Sequence, residues 1–494
     1  MGGDCVHILE LLEKRERAIY QLFLLLRKSV APIGIKEVAQ ELHLSKSTLL
    51  RYIESFSEEV KEEQFGLVFQ IKEEEIVLQR GANLSSQDLF AYLFRTSIKY
   101  QILLYFFDKN ECSIPMLAQD LLLSEATLNR HLSTLNKVLK EFQVSIRNGR
   151  LRGSELQIRY FYYQLFWLTR PFKELEQDRV FREQLAHLPI FERFYQSQFN
   201  PRQAHQLALW LMIVQKRMRL KDLDFQAVYQ LMAPYEQHKF YRHLRQLFLT
   251  LRQQASASFQ EGDTMSVFAF LFSQGIVAAH QLEQVLGFGG PIMEATSWAF
   301  QRVKILLKTD LSVEEGELYH LNQVFSQLYF FISCIDSGFD ELASYDSFMQ
   351  EAASSILHHV SEEIFGRRQA PATSLLLSLT QLFSYFMQVE PTMVKIGWAS
   401  SYPSVISSPI LHVLCQSLER NRSIQIEPVQ SDQSYDLVIC HDYPWQQDPS
   451  YQIYGLPTDQ ELKDIKSLIQ TIHQRKLEQS KRLVERKQFR IERR

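Results

Sequence analysis

Glycine is scarce in this chain: 17 in 494 residues, about half the roughly 7% of an average protein. Tight turns are therefore few, which suits a helix-rich architecture. Five cysteines (Cys5, Cys112, Cys334, Cys415, Cys440) are scattered and odd in number, and none makes a CxxC pair or a His/Cys cluster with metal-ligand spacing. They read as reduced thiols of a cytoplasmic chain, with no metal site. No run approaches the roughly 20 apolar residues of a membrane span, so no membrane partner is expected. The start, "MGGDCVHILELLEKRER", lacks the apolar core and cleavage site of a secretion signal. Val6 stands where a myristoylation signal needs Ser or Thr. No Ser/His/Asp set and no phosphate-binding glycine loop supports a hydrolase or kinase. The expectation is a non-enzyme without cofactors. The net charge of −3 excludes a generally basic coat, so any affinity for nucleic acid must be local.

What is present is a repetition. "LSKSTLLRYIESF" (Leu44–Phe56) returns as "LSEATLNRHLSTL" (Leu123–Leu135), 79 residues on. Laying Ile35–Glu62 on Ile114–Glu141 without a gap gives eleven identities in twenty-eight positions, the mark of a duplicated unit. Each copy predicts a short amphipathic helix (Ile35–His43, Ile114–Leu122) and then a Leu-Ser stop. Ser45 or Ser124 is placed to cap a second helix. That helix buries Leu49, Ile53, Phe56 and Val60 in one copy, and Leu128, Leu132, Leu135 and Leu139 in the other. Helical hairpins are common in any α-rich protein. Repetition, and an outer face carrying Arg51 or Arg130, favour a helix-turn-helix.

The flanks differ in charge. "VSIRNGRLRG" (Val144–Gly153) centres on Asn148-Gly149, a strong hairpin signal. It predicts a β-wing offering Arg147, Arg150 and Arg152 to phosphates. "FGLVFQIKEEEIVLQRG" alternates likewise, but its tip is Glu73-Glu74-Glu75. Residues 34–64 hold four Lys/Arg and seven Asp/Glu; residues 112–154 hold six and three. Phosphate contacts supply most non-specific affinity, so the second unit is expected to contribute more of it. Its base- and backbone-reading candidates are Thr127, Asn129 and Arg130. The first unit adds Lys46, Ser47, Thr48 and Arg51, with its acidic wing off the duplex.

At 46% apolar and 22% charged residues, the composition is that of an ordinary globular chain with room for several domains. From Gln157 to about Gln388 it is aromatic-rich with helical period. Breaks fall near Arg170-Pro171, Asn200-Pro201, Gly287–Pro291 and Arg367–Pro371, so two helical modules in tandem are expected. After Pro391, "MVKIGWAS", a helix at Pro409–Arg420, "IQIEPV", "YDLVICHD" and a helix from about Thr458 predict a small α/β domain with a parallel core. The tail "KRLVERKQFRIERR", seven Lys/Arg and two Glu, reads as a solvated terminus.

Together, the doubled "LSKSTLLRYIESF" and "LSEATLNRHLSTL", the wing running into "LRGSELQIRYFYYQLFW" and the terminal α/β segment resemble the Mga/AtxA family of virulence regulators of Gram-positive cocci and bacilli, most of all its Mga-like streptococcal global regulators. The resemblance implies a multidomain, predominantly α protein. Two winged helix-turn-helix units (1–82 and 83–155) would precede two helical modules regulated by the sugar phosphotransferase system (156–286 and 287–390). A domain resembling enzyme IIB of that system (391–494) would follow. It implies double-stranded DNA, a second copy of the chain (a homodimer or higher oligomer) and the phosphocarrier protein of that system as partners. His205 in "NPRQAHQLALW" and His320 in "GELYHLNQVF" match phosphoacceptor positions, with His280 a weaker candidate. The first module's other usual histidine has no match: "SVFAFLFSQG" offers only Phe there. Active enzyme IIB domains carry a nucleophilic Cys at the end of the first strand; here stand Ser400-Ser401. Competing expectations are an RNA-binding antiterminator, which would not need two helix-turn-helix units, and a phosphotransfer component, which the missing Cys disfavours.

Overall fold

The repeated phrase folds twice into the same unit. The computed structural model describes residues 6–29, 32–62, 67–80, 86–195, 197–255, 260–277, 289–307, 315–336, 342, 345, 347–367, 372–389, 394–418, 424–430, 433–441, 449–472 and 475–476. The chain is predominantly helical, and it divides into two compact units. One comprises residues 1–299, 313–344 and 353–379; the other comprises 300–312, 345–352 and 380–494.

The first unit opens with β1 (Val6–His7) and α1 (Lys14–Lys28). Helix α1 buries Ile19, Tyr20, Leu22, Phe23 and Leu26. After β2 (Ile33–Gly34) come α2 (Ile35–Glu41) and α3 (Lys46–Glu62). The turn between them needs a left-handed residue, and His43 supplies it (φ 53°). This lets Leu44 N–H donate to the Ala39 carbonyl at 2.8 Å and close the end of α2. Arg15 on α1 reaches α3, donating to Ser55 Oγ at 2.8 Å and pairing with Glu59. Strands β3 (Leu67–Lys72) and β4 (Glu75–Arg80) form the predicted hairpin. Its tight turn places Glu73 and Glu74 at positive φ (47° and 69°), and β2 adds a third strand in the order β2-β4-β3.

Helices α4 (Ser86–Arg95) and α5 (Ile98–Lys109) lead into the second copy, α6 (Ile114–Asp120) and α7 (Glu125–Lys140). Leu122 occupies the repeat position of His43 and is likewise left-handed (φ 54°), with Leu123 N–H bonded to the Ala118 carbonyl at 2.8 Å. The wing is β5 (Ser145–Arg147) and β6 (Arg150–Arg152). Asn148 and Gly149 turn at φ 52° and 67°. A Cβ on Gly149 would lie 1.9 Å from the Cys112 carbonyl oxygen, so the wing closes only with glycine there.

Helix α8 (Glu155–Thr169) is buried along most of its length. Then follow α9 (Phe172–Leu175), α10 (Arg179–Tyr195), α11 (Pro201–Arg217), α12 (Gln226–Met232), α13 (Lys239–Ala255) and α14 (Glu261–Ser273). The expected breaks at Pro171 and Pro201 are present. Asn200 caps α11 by accepting from Gln203 N–H at 2.9 Å, with Pro201 in the first turn, where its missing N–H costs nothing. Further along lie α15 (Pro291–Leu307), α16 (Glu315–Phe330), β7 (Ile335–Asp336), α17 (Ser347–His359) and α18 (Thr373–Val389). Strand β7 pairs in parallel with β1, Val6 against Ile335. This long-range tie had no sequence signal, because two-residue strands carry no periodicity. Stacked rings fill the helical core, Trp210 on Phe270 at 4.4 Å and Tyr160 on Phe331 at 3.8 Å.

Within that core lies a buried charge network. Glu155 accepts from Arg159 Nε at 2.8 Å and from Arg217 Nε and Nη2 at 2.7 and 2.8 Å. Arg159 Nη2 also donates to Asp263 at 2.6 Å, and Asp263 accepts from Gln260 N–H at the start of α14. Both arginines are fully buried. Burial pushes the Glu155 carboxyl up, but Arg217 and Arg159 outweigh that and hold it below the usual carboxylate range. The stabilisation from its ionised form is thus complete above the unfolded value, about 4.3, and is lost as pH falls through the lower folded one.

In the C-terminal domain, β8 (Val394–Ser400), α19 (Ser404–Leu418), β9 (Ile424–Pro428), β10 (Leu437–His441) and β11 (Ser450–Ile453) precede a helix α20 at 459–472. The sheet is wholly parallel, in the order β11-β10-β8-β9. Ile396, Trp398, Leu414, Leu437, Ile439, Ile465 and Ile469 are among its core. Two corrections arise. Helix α19 begins at Ser404, five residues before the expected start, with Pro409 inside it. Proline prefers the first turn of a helix, which misled the boundary. Strand β11, "SYQI", was missed because its weak alternation sits beside polar loop sequence. The basic tail and residues 442–448 lie outside the described residues.

Removing one partner of the buried network leaves an uncompensated charge. Arg217→Met is expected to lower unfolding stability by about 3–5 kcal/mol, measured by urea titration near neutral pH. A loss under about 1 kcal/mol would mean that Glu155 is not ionised in the folded chain.

Candidate nucleic-acid interface

Both second helices start with the expected cap. Ser45 Oγ accepts from Thr48 N–H at 3.1 Å, and Ser124 Oγ accepts from Thr127 N–H at 3.2 Å. The hydroxyls of Ser47 and Thr48 lie 3.0 and 2.8 Å from Ser45 Oγ; that of Thr127 lies 2.9 Å from Ser124 Oγ. Each helix therefore presents small hydroxyls at its electropositive end, the arrangement that receives phosphate or base edges. The stripe from Leu49 to Val60, and its counterpart from Leu128 to Leu139, is buried. Arg51, Asn129 and Arg130 face solvent.

The electrostatics separate the copies. In the first, Lys46 Nζ forms an ion pair with Glu74 at the wing tip, and Lys46 holds the Glu74 carboxyl below its usual range. A carboxylate thus sits where a DNA phosphate would otherwise meet this lysine. In the second, Arg130, Arg147 and Arg152 are exposed and pair with no carboxylate among the described residues. Arg150 is placed otherwise: its Nη2 donates to Asp222 at 3.0 Å, and Nε lies 3.8 Å from Glu111. It braces the wing from beneath, so the exposed cations of this wing are Arg147 and Arg152.

Wing and helix form one body through a residue that sequence reasoning missed. The Asn136 side chain on α7 donates to the Ile146 carbonyl at 2.9 Å and accepts from Ile146 N–H at 2.6 Å. It occupies β5 as a neighbouring strand would. The aligned position in the first copy is Ser57, so the repeat gave no hint of the clamp. Arg150 also lies in an antiparallel bridge with Glu111, and Cys112 N–H donates to the Gly149 carbonyl at 2.8 Å.

The two histidines sit in different surroundings. His205 Nδ1 lies 2.6 Å from the Pro201 carbonyl, its Nε2 lies 3.2 Å from Glu176, and its ring packs on Phe172 at 4.6 Å. The basic residues that sequence places nearby are mostly committed elsewhere. Lys216 pairs with Asp178, Arg217 with Glu155, and Arg202 lies over the Trp167 ring. His320 is exposed, with Nδ1 3.1 Å from Gln323 Oε1. His280 lies outside the described residues, as do the side chains of Glu314, Glu315 and Glu317, the acidic neighbours of His320 in sequence. Among the described residues no cluster of His, Cys, Asp and Glu could hold a metal ion, and no helix is long and apolar enough to cross a membrane.

Residues 82–166 match the Mga helix-turn-helix domain family. That segment takes in α4 to α7, the second wing and most of α8; the first copy lies outside it. A protein of Streptococcus pneumoniae serotype 4 (strain ATCC BAA-334 / TIGR4), named as a trans-acting regulator, is 27% identical over 148 residues. The match covers 28% of this chain and 29% of that relative, so the chain spans less than a third of its length in the aligned part. The chain therefore carries an Mga-family helix-turn-helix domain.

Arg130→Ala with Arg147→Ala is expected to weaken binding to genomic DNA fragments and to flatten the salt dependence, by about 0.9 for each phosphate no longer neutralised. Lys46→Ala with Arg51→Ala is expected to cost less, since Lys46 already holds Glu74. Fluorescence anisotropy at several salt concentrations reads both. Abolished binding in the second pair alone would overturn the ranking.

Proposed function

We propose that this chain, with its Mga helix-turn-helix domain, is a DNA-binding transcription regulator, a global or virulence-gene regulator by its resemblance. The observation that carries the reading is the doubled helix-turn-helix, whose second copy leaves Arg130, Arg147 and Arg152 exposed beside a capped helix N-terminus. Thr127 and Asn129 are the base-reading candidates of that copy, with Ser47, Thr48 and Arg51 in the first. The reading divides the chain into winged units at 1–82 and 83–155, helical modules at 156–286 and 287–390, and an enzyme IIB-like domain from 391. The parallel sheet supports the last assignment in architecture. Strand β8 ends in Ser400-Ser401, where the nucleophilic Cys of an active domain would stand, so the domain serves as a scaffold for self-association. A gel shift with genomic fragments, competed by RNA and by unrelated DNA, tests the function. Competition by RNA alone would favour the antiterminator reading.

Control by phosphate from the phosphotransferase phosphocarrier follows from the same reading. Phosphorylation of His205 must displace the Glu176 carboxylate from Nε2, whereas His320 is open to solvent. Arg202, three residues before His205 on α11, is a candidate cation to meet the added charge of about −1.5 to −2. Incubation with the general phosphotransferase components and labelled phosphoenolpyruvate is expected to label His320 faster than His205, read on wild type, His205→Ala and His320→Ala. Undiminished acid-labile label in both variants would exclude these histidines.

Self-association is the remaining part. A two-fold dimer would present four helix-turn-helix units along an extended site. Truncation after Gln388 is expected to lower the oligomeric state seen by light scattering. An unchanged number of copies per particle for a folded truncation would remove the C-terminal domain from the assembly.

A further inference from the structure

Beneath the second wing lies a cavity of about 310 Å³ between β6, the start of α8, the end of α11 and the loop at 222–224. Its walls include Arg150, Arg152, Glu155, Arg217, Asp222 and Asp224. One buried polar atom of a wall residue lacks a hydrogen-bond partner among the described residues: Nη1 of Arg217, a fully buried side chain. Buried polar groups are nearly always satisfied, and a guanidinium nitrogen left without an acceptor beside an open volume calls for one.

The chemistry of the walls narrows the ligand. Arg217 is neutralised by Glu155 and Arg150 by Asp222, while Arg152 pairs with no carboxylate among the described residues. Guanidinium forks suit a phosphate or carboxylate, and the three terminal oxygens of a phosphate can meet three guanidinium groups at once, where a carboxylate has two. Asp224 also lines the cavity, and a carboxylate there can accept from hydroxyls. The volume is at the small end of metabolite pockets. We infer that this cavity binds a small phosphorylated polyol, its phosphate on Arg150, Arg152 and the orphaned Arg217 nitrogen, its hydroxyls on Asp224.

Binding would be coupled to the wing. The phosphate competes with Asp222 for Arg150 and takes Arg152 from the face that meets DNA. Ligand and DNA therefore oppose one another by the same factor in either direction. That antagonism rests on the DNA-binding reading above; occupancy of the cavity does not.

The experiment is isothermal titration calorimetry on the full chain at constant ionic strength, with glucose 6-phosphate, inorganic phosphate and glucose as probes. Saturable binding is expected for glucose 6-phosphate, weaker binding for phosphate and none for glucose. Asp222→Asn removes the competing carboxylate and keeps a residue that tolerates the left-handed backbone at this position (φ 56°); it is expected to tighten binding several-fold. Arg152→Gln should weaken it about ten-fold, the worth of one charge-assisted hydrogen bond. Leu223→Trp, which fills the cavity, should abolish it. No saturable binding of either phosphorylated probe to wild type and Asp222→Asn would overturn the site, leaving only ordered water there. Affinity unchanged in both Arg152→Gln and Leu223→Trp would place the ligand elsewhere and overturn it equally. With binding established, DNA affinity unaltered by saturating glucose 6-phosphate would remove the antagonism alone, and absence of any DNA binding would remove the DNA-binding reading alone.

Discussion

Glu155 is where the helix-turn-helix region and the helical core are joined. Its carboxylate holds Arg159 on its own helix and Arg217 at the end of α11, and Arg159 carries the contact on to Asp263 at the start of α14. Its backbone N–H donates to the Asp224 carbonyl at 2.7 Å. Arg217 also approaches Asn110 Oδ1 at 3.4 Å, and the Asn110 carbonyl accepts from Leu151 N–H in the wing at 3.0 Å. A chain of polar contacts thus runs from the buried core to the wing of the second copy. Buried ion pairs are weak sources of net stability, because desolvation cancels much of their attraction. Their directionality is what matters here: α8, α11 and α14 meet in one register, since any other leaves a charge unpaired in an apolar interior.

This junction explains why the family match runs to residue 166 and does not stop at the wing. Helix α8 is covered on nearly every face, and Tyr162 on it donates to the Leu103 carbonyl of α5 at 2.8 Å. A helix-turn-helix unit cut at residue 155 would expose that surface. The wing itself is held in place against α7 by Asn136, by the Cys112–Gly149 hydrogen bond and by Arg150 on Asp222. Pre-organised surfaces of this kind limit the entropy cost of binding.

The two copies show how one scaffold diverges by charge. Caps, left-handed turn residues and buried stripes are the same at matching positions. The difference is a pair of hairpin tips: Glu73-Glu74 closes one, with Lys46 folded onto it, while Asn148-Gly149 closes the other among arginines. Packing sets the shape of both, and the solvent-facing residues, free of packing constraint, set what each can attract.

Periodicity and local chemistry carried much of this in the sequence. The repeat, both serine caps, the wing hairpin, the proline-marked breaks and the parallel α/β order after residue 391 were legible, because each rests on interactions within a few residues. The partner of each surface charge was not. Arg150 reads as one more phosphate contact until folding brings Asp222, 72 residues away, against it. Asn136 reads as an ordinary polar residue until β5 lies beside it, and Arg217 as a free cation until Glu155 is buried against it. Pairing of charges over 60 residues or more depends on how helices pack, and no pattern along the chain records it. The sequence by itself therefore determined which elements form and where the repeated unit lies; the tertiary structure decided which arginines remain available to a ligand.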